Sequence, residues 1–360
     1  MANLPRPAIR RPISITVLSL AFLVGLLITP LVLPVLALVD LATHSSLRRS
    51  RVWLIYLSVL GNEGLGTWIA IVMTVFYAGR LDRPAAQASF HRLMVWWGGR
   101  HLTYLRWFAG LRWVVENPEE LTEANAIVLS RHASHVDAIL PILIFGNVGG
   151  HHVRYTLKDD LQWSPAMDIV GNLLPHVFVD RGSGADSPLW KEIRELAAGV
   201  DDDTVAIIFP EGTFFTPERL ERAATRISQT HPELESTARS LNYLLPPRPA
   251  GTQALMDGAP DADLVLLAHE GMEVFGDLAE IRAAMPLRHP VQVRAWRIDR
   301  ADVPADEDAF AAWLLDRWVD MDRWIHQRVT ERGEGQMPEA YEDRSLPAES
   351  VSSTGREFRP

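Results

Sequence analysis

The sequence contains no cysteine, which excludes disulfides, thiolate metal sites and a cysteine nucleophile. It also has little basic charge: 35 Lys and Arg residues face 45 Asp and Glu residues, for a formal net charge of −10. Because nucleic-acid binding requires a basic face, we expect no nucleic-acid partner. The nucleophile elbow of serine hydrolases, G-x-S-x-G, is missing as well. The chain of 360 residues is 48% hydrophobic, a composition typical of folded domains and not of disordered ones.

Charge is absent from the 27 residues Ile13–Val39. A helix needs about 20 apolar residues to cross a bilayer, whereas a cleaved signal peptide has a shorter apolar core of roughly 7–15 residues. The segment therefore indicates a permanent membrane anchor. Pro30 and Pro34 lie inside it and are expected to kink or split the helix. A second apolar stretch, Val52–Gly79, is interrupted near its middle by glycines and a glutamate.

Three arginines at 48, 49 and 51 separate these two stretches. Arginines near the amino terminus favour a cytoplasmic start, but a basic connection also resists translocation. Two arrangements follow, a hairpin that spans the membrane twice and a re-entrant hairpin that enters one leaflet. Both return the chain to the cytoplasm at Arg80. A buried helical pair in a soluble core is a third arrangement, which the length of the uncharged segment disfavours. We expect a cell-membrane location with the active site facing the cytoplasm.

From about residue 124, apolar strand patterns alternate with loops and helices. Strands are predicted at Ala126–Ser130, Val153–Leu157, His176–Val179, Val205–Phe209, Asp263–Ala268 and Val291–Ile298, and helices at Ala138–Phe145 and Ser187–Ala198. This alternation predicts an α/β fold with a mostly parallel mixed sheet flanked by helices, preceded by the N-terminal hydrophobic helical hairpin. The predicted organisation is a membrane-anchoring hairpin over 1–79, an α/β domain with a C-terminal helix over 80–330, and an acidic tail over 331–360 that is expected to be disordered.

The loop after the first of these strands contains His132 and Asp137. Asp137 is expected in the first turn of the next helix, from which its carboxylate can reach one imidazole nitrogen. The other nitrogen is then free to act as a general base. In the alternative interpretation His132 caps the helix and Asp137 is an acid favoured by the helix dipole.

Three further loops carry candidate binding residues. Arg181 follows a buried strand and offers planar donors for an anion, although for Arg181 taken alone a surface ion pair with Asp180 or Asp186 is the favoured interpretation. Glu211, Gly212 and Thr213 form a turn directly after a strand, where backbone amides can hold an oxyanion and where a simple turn is the alternative. Arg248 lies in a proline-rich loop that can equally be a rigid connection.

His132 and Asp137 match the H-x4-D box of glycerolipid acyltransferases, and the other loops resemble the later blocks of that family in the right order. Those blocks are Phe178-Val179-Asp180-Arg181, Phe209-Pro210-Glu211-Gly212-Thr213, Leu245-Pro246-Pro247-Arg248 and the helix Trp313–Asp322. The pattern is similar to the branch that contains lysophosphatidic acid, lysocardiolipin and lysophosphatidylinositol acyltransferases. The resemblance covers roughly residues 10–340.

The resemblance implies transfer of a fatty acyl group from acyl-CoA or acyl carrier protein to a hydroxyl of a lysophospholipid. His132 would accept the hydroxyl proton, and Asp137 would orient His132. The residues that would bind substrate are Lys158, which fits a K-x-x-L-x-x-x-P pattern, Arg181, Glu211, Gly212, Thr213 and Arg248. The leading acceptor is 1-acylglycerol-3-phosphate, which would give phosphatidic acid. No cofactor or metal is expected, the partners are membrane lipids and the acyl donor, and the oligomeric state is left open.

Alternatives to this function remain at this point. Phe214 stands where the family commonly has Arg or Ser, which makes another lysophospholipid or a glycolipid a plausible acceptor. A zinc hydrolase could use His132, His135 and Asp137, but H-x-x-H-x-D is not a standard zinc spacing. A non-catalytic membrane scaffold could retain the same fold. Replacement of His132 separates the enzyme from the scaffold.

Overall fold

The computed structural model describes residues 4–121, 123–179, 188–276 and 278–333, together with the backbone of residues 356 and 357. The helices are α1 (Pro7–Ala42), α2 (Arg48–Phe76), α3 (Pro84–Tyr104), α4 (Pro165–Gly171), α5 (Leu189–Ala197), α6 (Pro217–Thr230), α7 (Glu235–Arg239), α8 (Pro249–Gly258), α9 (Leu278–Ala284) and α10 (Glu307–Glu331). The strands are β1 (Trp113–Glu116), β2 (Ala126–Ser130), β3 (His152–Lys158), β4 (Val177–Val179), β5 (Thr204–Ile208), β6 (Asp263–Glu270) and β7 (Val291–Ile298).

The chain divides into two compact units. The first unit comprises Met1–Arg112, Ile139–Glu192 and Asp277–His289, and the second comprises Trp113–Ala138, Ile193–Gly276 and Pro290–Pro360. The apolar hairpin therefore belongs to the first unit, and the loop with His132 belongs to the second. Most of the predicted acidic tail lies outside the described residues.

The second unit is built on a mixed sheet with the strand order β5-β2-β6-β7-β1. β2 pairs in parallel with β5 and with β6, and β1 pairs in parallel with β7. β6 and β7 run antiparallel, as do β1 and the two-residue strand Arg356–Glu357. The central strands are fully buried, α8 packs against β2 and β5, and α10 packs against β6. Strands covered on both faces read as continuous apolar runs, and this is the pattern that the sequence shows at β2 and β5.

The predicted α/β fold, with its mostly parallel mixed sheet and preceding apolar helices, is confirmed. Each of the six predicted strands is present, with ends that agree to within two residues. In the first unit, β3 and β4 pair in parallel. The sequence analysis missed β1, which is only four residues long, and it did not foresee the antiparallel orientation of β7.

The predicted helix over Ala138–Phe145 is present, but it is irregular. The helical segment runs over Asp137–Val148 and contains a 3₁₀ turn at Asp137–Ile139 and a π-helix at Ile142–Val148. Pro141 explains the irregularity, because its ring removes one N–H donor from the helix. The predicted helix over Ser187–Ala198 exists as α5, but its predicted cap, Ser187, lies outside the described residues.

α1 and α2 form the predicted helical hairpin. Both helices are continuous, so the prediction that Pro30 and Pro34 can split α1 is corrected. Packing of α1 along α2 supplies the stability that the missing hydrogen bonds would have given. The glycines of α2 allow close packing on two sides: a Cβ at Gly61 would lie 2.8 Å from the Phe22 ring of α1, and one at Gly66 would lie 2.6 Å from the Trp97 ring of α3.

Ion pairs and hydrogen bonds tie both ends of the hairpin to the rest of the first unit. At the start of α1, Arg10 Nη2 lies 2.8 Å from Asp168 Oδ1 in α4, and both side chains are buried. At the start of α2, Arg48 Nε donates to the carbonyl of Met285 at 3.0 Å, and Arg51 Nη1 donates to the carbonyl of Phe108 at 2.9 Å. The basic connection is therefore held against the same unit as the amino-terminal arginines.

Two histidine rings of the first unit accept hydrogen bonds from the backbone of β3. His91 Nε2 accepts from the Val153 N–H at 3.1 Å, and His176 Nδ1 accepts from the Tyr155 N–H at 3.0 Å. A ring nitrogen can accept only while it is unprotonated. Burial lowers the pKa of His91 to about 4 and the pKa of His176 to about 3, so both rings are neutral in the folded protein at neutral pH.

This arrangement predicts a loss of stability on acidification. Because the unfolded histidines bind protons near pH 6.5 and the folded ones do not, stability falls as the pH drops from about 6.5 towards 4. Each ring adds a slope of up to about 1.4 kcal/mol per pH unit. Denaturant unfolding at pH 7 and pH 5 measures the effect. His176→Asn keeps an acceptor oxygen without a titrating group, so we expect it to reduce the difference, and an unchanged difference would contradict this explanation.

Candidate active site

The carboxyl ends of β5, β2 and β6 bring three loops of the second unit together. Glu211 follows β5, His132 follows β2, and His269 lies at the end of β6. Because neighbouring parallel strands end at the same edge of a sheet, residues far apart in sequence meet there. A backbone hydrogen bond continues the pairing of β2 with β6 beyond the end of β2, because the Arg131 N–H donates to the carbonyl of Leu267 at 3.0 Å.

His132 and Asp137 are in direct contact, as their spacing predicted. His132 Nδ1 lies 3.2 Å from Asp137 Oδ1, while Asp137 Oδ2 accepts the N–H groups of Ala133 and Ser134. A carboxylate only accepts hydrogen bonds, so at this contact the neutral His132 ring donates from Nδ1 and leaves Nε2 without a proton. Asp137 is fully buried, whereas the His132 side chain retains 20% exposure. The pair therefore combines a fixed carboxylate with a partly accessible imidazole.

Aromatic rings enclose the His132 imidazole. The ring centroid of Phe209 lies 4.9 Å from that of His132, and the centroid of Phe214 lies 4.4 Å away at an interplanar angle of 68°. Phe214 also contacts His135 at 4.7 Å. An apolar wall of this kind restricts the imidazole to few orientations. The structure therefore places Phe214, the residue that departs from the family pattern, directly beside the proposed base.

Glu211 joins two of the loops. Its Oε1 accepts the His132 N–H at 2.9 Å, and its Oε2 accepts the Leu245 N–H at 2.9 Å. The side chain is 2% exposed, and burial raises the pKa of Glu211 to about 8, although the two N–H donors and Arg131 act in the opposite direction. The sequence analysis assigned Glu211 to substrate binding. These two hydrogen bonds give Glu211 a structural role in connecting the loops, which the sequence did not indicate.

Arg131 is a buried cation directly before His132. Its Nη1 donates to the Glu273 carboxylate and to the carbonyl of His269, and its Nη2 donates to the carbonyl of Tyr243 at 3.3 Å. Burial of the guanidinium is tolerated because charged and polar acceptors surround it. Arg131 therefore ties the loop after β2 to the segments that follow β6 and precede α8.

Gly212 and Arg248 lie next to each other. Gly212 has a φ of +67°, and a Cβ at this position would lie 3.3 Å from the Arg248 guanidinium carbon. The Arg248 N–H donates to the carbonyl of Pro210 at 3.0 Å, which fixes the proline-rich segment to the turn that also contains Thr213. The Gly212 N–H donates to the carbonyl of Phe209 at 3.0 Å, so this amide is already paired within the turn.

The structure thus brings His132, Asp137, Glu211, Gly212, Thr213 and Arg248 into one unit. Lys158 belongs to the first unit, where it ends β3 and forms an ion pair with Asp160. Arg181 lies outside the described residues. Binding roles for all of these residues stay predictions. The zinc alternative has no ligand set in the described part of the chain, where no group of three or more His, Asp or Glu side chains could hold a metal ion.

His269 and Arg131 are the site residues that the sequence analysis missed. The signal for His269 was a histidine followed by a glutamate at the end of an otherwise apolar strand. The signal for Arg131 was a cation between a buried strand and the H-x4-D box. Neither signal identifies a contact, because the contacts between the loop after β2 and the end of β6 join residues that are more than 130 positions apart in the sequence.

Comparisons with known proteins agree with this geometry. Residues 112–243, which include the His132–Asp137 pair, the turn at Glu211 and the segment between them, match the family model Acyltransferase. The remainder of the chain, including the apolar hairpin, lies outside the matched residues.

Three relatives illustrate the similarity. The chain is 25% identical over 220 residues to "1-acyl-sn-glycerol-3-phosphate acyltransferase epsilon" of Mus musculus. This alignment covers 56% of the present chain and 57% of the relative. It is 22% identical over 257 residues to "Lysophosphatidylinositol acyltransferase 10" of Caenorhabditis elegans, 67% of this chain and 62% of the relative. The match thus spans less than two thirds of either relative. The crystal structure of the 1-acyl-sn-glycerophosphate (LPA) acyltransferase PlsC from Thermotoga maritima superposes with a TM-score of 0.43 at 15% identity, covering 75% of this chain and 96% of that one.

The two hydrogen bonds of Glu211 generate a prediction. Gln at this position can accept at only one oxygen, so Glu211→Gln leaves the His132 or the Leu245 N–H without its acceptor. We expect a loss of about 1–3 kcal/mol in the free energy of unfolding, the cost of an unsatisfied buried donor. Denaturant titration measures it. The exposed Glu218→Gln is the control, with an expected change within about 0.5 kcal/mol. Equal stabilities of the two variants would contradict the bridging role of Glu211.

Proposed function

We propose that this protein transfers a fatty acyl group from a thioester, acyl-CoA or acyl carrier protein, to the free hydroxyl of a lysophospholipid. The observation that carries the proposal is the His132–Asp137 pair, whose free Nε2 lies at the sheet edge within an acyltransferase-family domain. The pair supplies a base for a hydroxyl, and the absence of cysteine is compatible with direct transfer between the two substrates.

The reaction follows from the position of the proton on the His132 ring. His132 Nε2 accepts the proton of the acceptor hydroxyl while the hydroxyl oxygen attacks the thioester carbonyl. Asp137 stabilises the imidazolium that forms, because its Oδ1 faces Nδ1. Collapse of the tetrahedral intermediate breaks the C–S bond and completes the new C–O ester bond. The thiolate leaves and takes the proton from His132, so the free thiol and the acylated lipid are the products.

Two classes of acceptor lipid are proposed, and both are testable. The mouse relative's name gives 1-acyl-sn-glycerol-3-phosphate as its substrate, and the nematode relative's name gives lysophosphatidylinositol. We propose 1-acylglycerol-3-phosphate as the first acceptor, with phosphatidic acid as product. Arg248 beside Gly212 offers a cation for its phosphate, and Lys158 and Arg181 are proposed to contribute. Phe214 beside His132 supports a lysophospholipid with a larger head group as the second acceptor.

The membrane is the proposed place of the reaction, because acceptor and product are both amphiphiles. α1 and α2 are long and apolar enough to enter a bilayer, and α1 exposes a row of large apolar side chains, including Leu27 at 78% and Leu31 at 75%. Exposed apolar surface of this extent marks a membrane or protein contact. The hydrogen bonds of Arg48 and Arg51 to the first unit favour the re-entrant arrangement, in which the basic connection is not translocated. We propose that the active site faces the cytoplasm.

An acceptor panel tests the proposed reaction. Detergent-solubilised protein is mixed with a labelled acyl-CoA or acyl carrier protein and with lysophosphatidic acid, larger lysophospholipids or glycolipids. We expect transfer to at least one lysophospholipid and a loss of about 10²–10⁴-fold in His132→Ala, the usual contribution of a general base. The transfer rate of Asp137→Asn is expected to fall strongly as well, because the amide side chain favours the wrong tautomer of the His132 ring.

The control for this panel is His231→Ala, a histidine at the end of α6 that pairs with Glu233. It should retain wild-type transfer. Transfer only to lysophospholipids with larger head groups would keep the chemistry and change the acceptor. Transfer to no acceptor from either donor, by a folded wild-type protein, would overturn the proposed function and favour the scaffold.

Flotation with phospholipid vesicles tests the membrane contact. The double substitution Leu27→Arg and Leu31→Arg places two charges on the exposed row of α1, and each charge at bilayer depth costs about 2.5–3.5 kcal/mol. We expect the vesicle-bound fraction to collapse. Leu278→Arg changes an exposed leucine outside the hairpin and should float like the wild type. A vesicle-bound fraction of the double variant equal to that of the wild type would contradict the proposed role of α1.

A further inference from the structure

A second histidine lies on the other side of the Asp137 carboxylate. His269 is fully buried near the end of β6, and its Nε2 is 3.8 Å from Asp137 Oδ2 and 3.3 Å from the carbonyl oxygen of Arg131. Asp137 thus has an imidazole on each side, with His132 Nδ1 at Oδ1 and His269 Nε2 at Oδ2. The two rings differ in exposure, because only His132 is partly accessible.

The surroundings of His269 decide which ring nitrogen carries the proton. Nε2 faces two acceptors, the Arg131 carbonyl and the Asp137 carboxylate, so the proton belongs on Nε2. Nδ1 is buried and has no hydrogen-bond partner among the described residues. The charged groups that face the ring are Arg131, Asp137 and Glu273. Burial and the Arg131 guanidinium lower the pKa of His269 to about 4, so the ring is a neutral donor at neutral pH.

We propose that His269 is a positioning residue of the His132–Asp137 pair, and that its Nε2–H supports the Asp137 carboxylate from behind and holds the loop after β2 in place. The inference rests on the proposed function only for its kinetic consequence. The Nε2–H donates its hydrogen bond to the Arg131 carbonyl, one residue before His132, at 3.3 Å. At 3.8 Å from Oδ2 the same N–H acts on the carboxylate as a neutral dipole, which stabilises the negative charge without neutralising it and leaves it available for the His132 imidazolium.

Three substitutions distinguish this role from simple packing. His269→Leu removes the donor. His269→Gln can place an amide N–H near the position of Nε2, whereas the shorter Asn can place one only near Nδ1. His269→Leu and His269→Asn should lower kcat about tenfold, since misplacement of a catalytic group can cost up to about 10²-fold. His269→Gln should restore most of kcat. The matched control is Leu264→Ala in the same strand, which should lower the thermal stability and leave the pH dependence of activity unchanged.

The pH dependence supplies a readout that packing alone does not move. Without the N–H dipole near Oδ2, Asp137 holds the proton of the His132 imidazolium more firmly, so the acid limb of the pH–activity profile should move to higher pH by about half a unit or more. His269→Gln should return the limb to the wild-type position. Wild-type kcat and an unmoved limb in His269→Leu would overturn the proposal, as would rescue by Asn equal to that by Gln.

A measurement without turnover keeps this inference separate from the proposed function. The titration of the His132 ring, followed by ¹⁵N NMR, should show a higher midpoint in His269→Leu than in wild type and an unchanged midpoint in His269→Gln. A wild type that is inactive on every acceptor would overturn the proposed function, and the titration would still decide the role of His269. Equal midpoints in all variants would overturn that role.

Discussion

The buried Asp137 carboxylate is the interaction on which the rest of the site depends. A charge in a dry interior is costly unless hydrogen bonds compensate it. Here the N–H groups of Ala133 and Ser134 bind one oxygen and the His132 ring binds the other. Because the carboxylate is fixed from several directions, it in turn fixes the tautomer of His132. The nitrogen that His132 leaves unprotonated is thus specified by the groups that fix the carboxylate.

The parallel sheet supplies the second constraint. Each of the three central strands has a polar group at its carboxyl end or in the turn that follows, and the register of β5, β2 and β6 brings these groups to one edge. Glu211 and Arg131 then connect the loops, one through a carboxylate that accepts two amides and the other through a buried guanidinium. The loops depend on each other, so a change in one is transmitted to His132 through its backbone.

Sequence patterns predicted the local parts of this architecture well. His132 and Asp137 are five residues apart, and the strands that carry the loops are continuous apolar runs. The patterns failed where distant residues decide the outcome. The task of Glu211 depends on amides 79 and 34 positions away, and that of His269 depends on the register between β2 and β6. Pro141 made the predicted helix after Asp137 irregular, whereas Pro30 and Pro34 did not split α1, because packing against α2 compensates them.

The central claim is that His132 carries its proton on Nδ1 and presents Nε2 as a base. ¹⁵N NMR of histidine-labelled protein tests it most directly, with His132 assigned by the signal that disappears in His132→Ala. At neutral pH the account predicts the Nδ1–H tautomer, with a protonated nitrogen facing Asp137 and an unprotonated Nε2. A His132 ring with its proton on Nε2 would contradict the account, because that nitrogen could not accept a proton from an attacking hydroxyl.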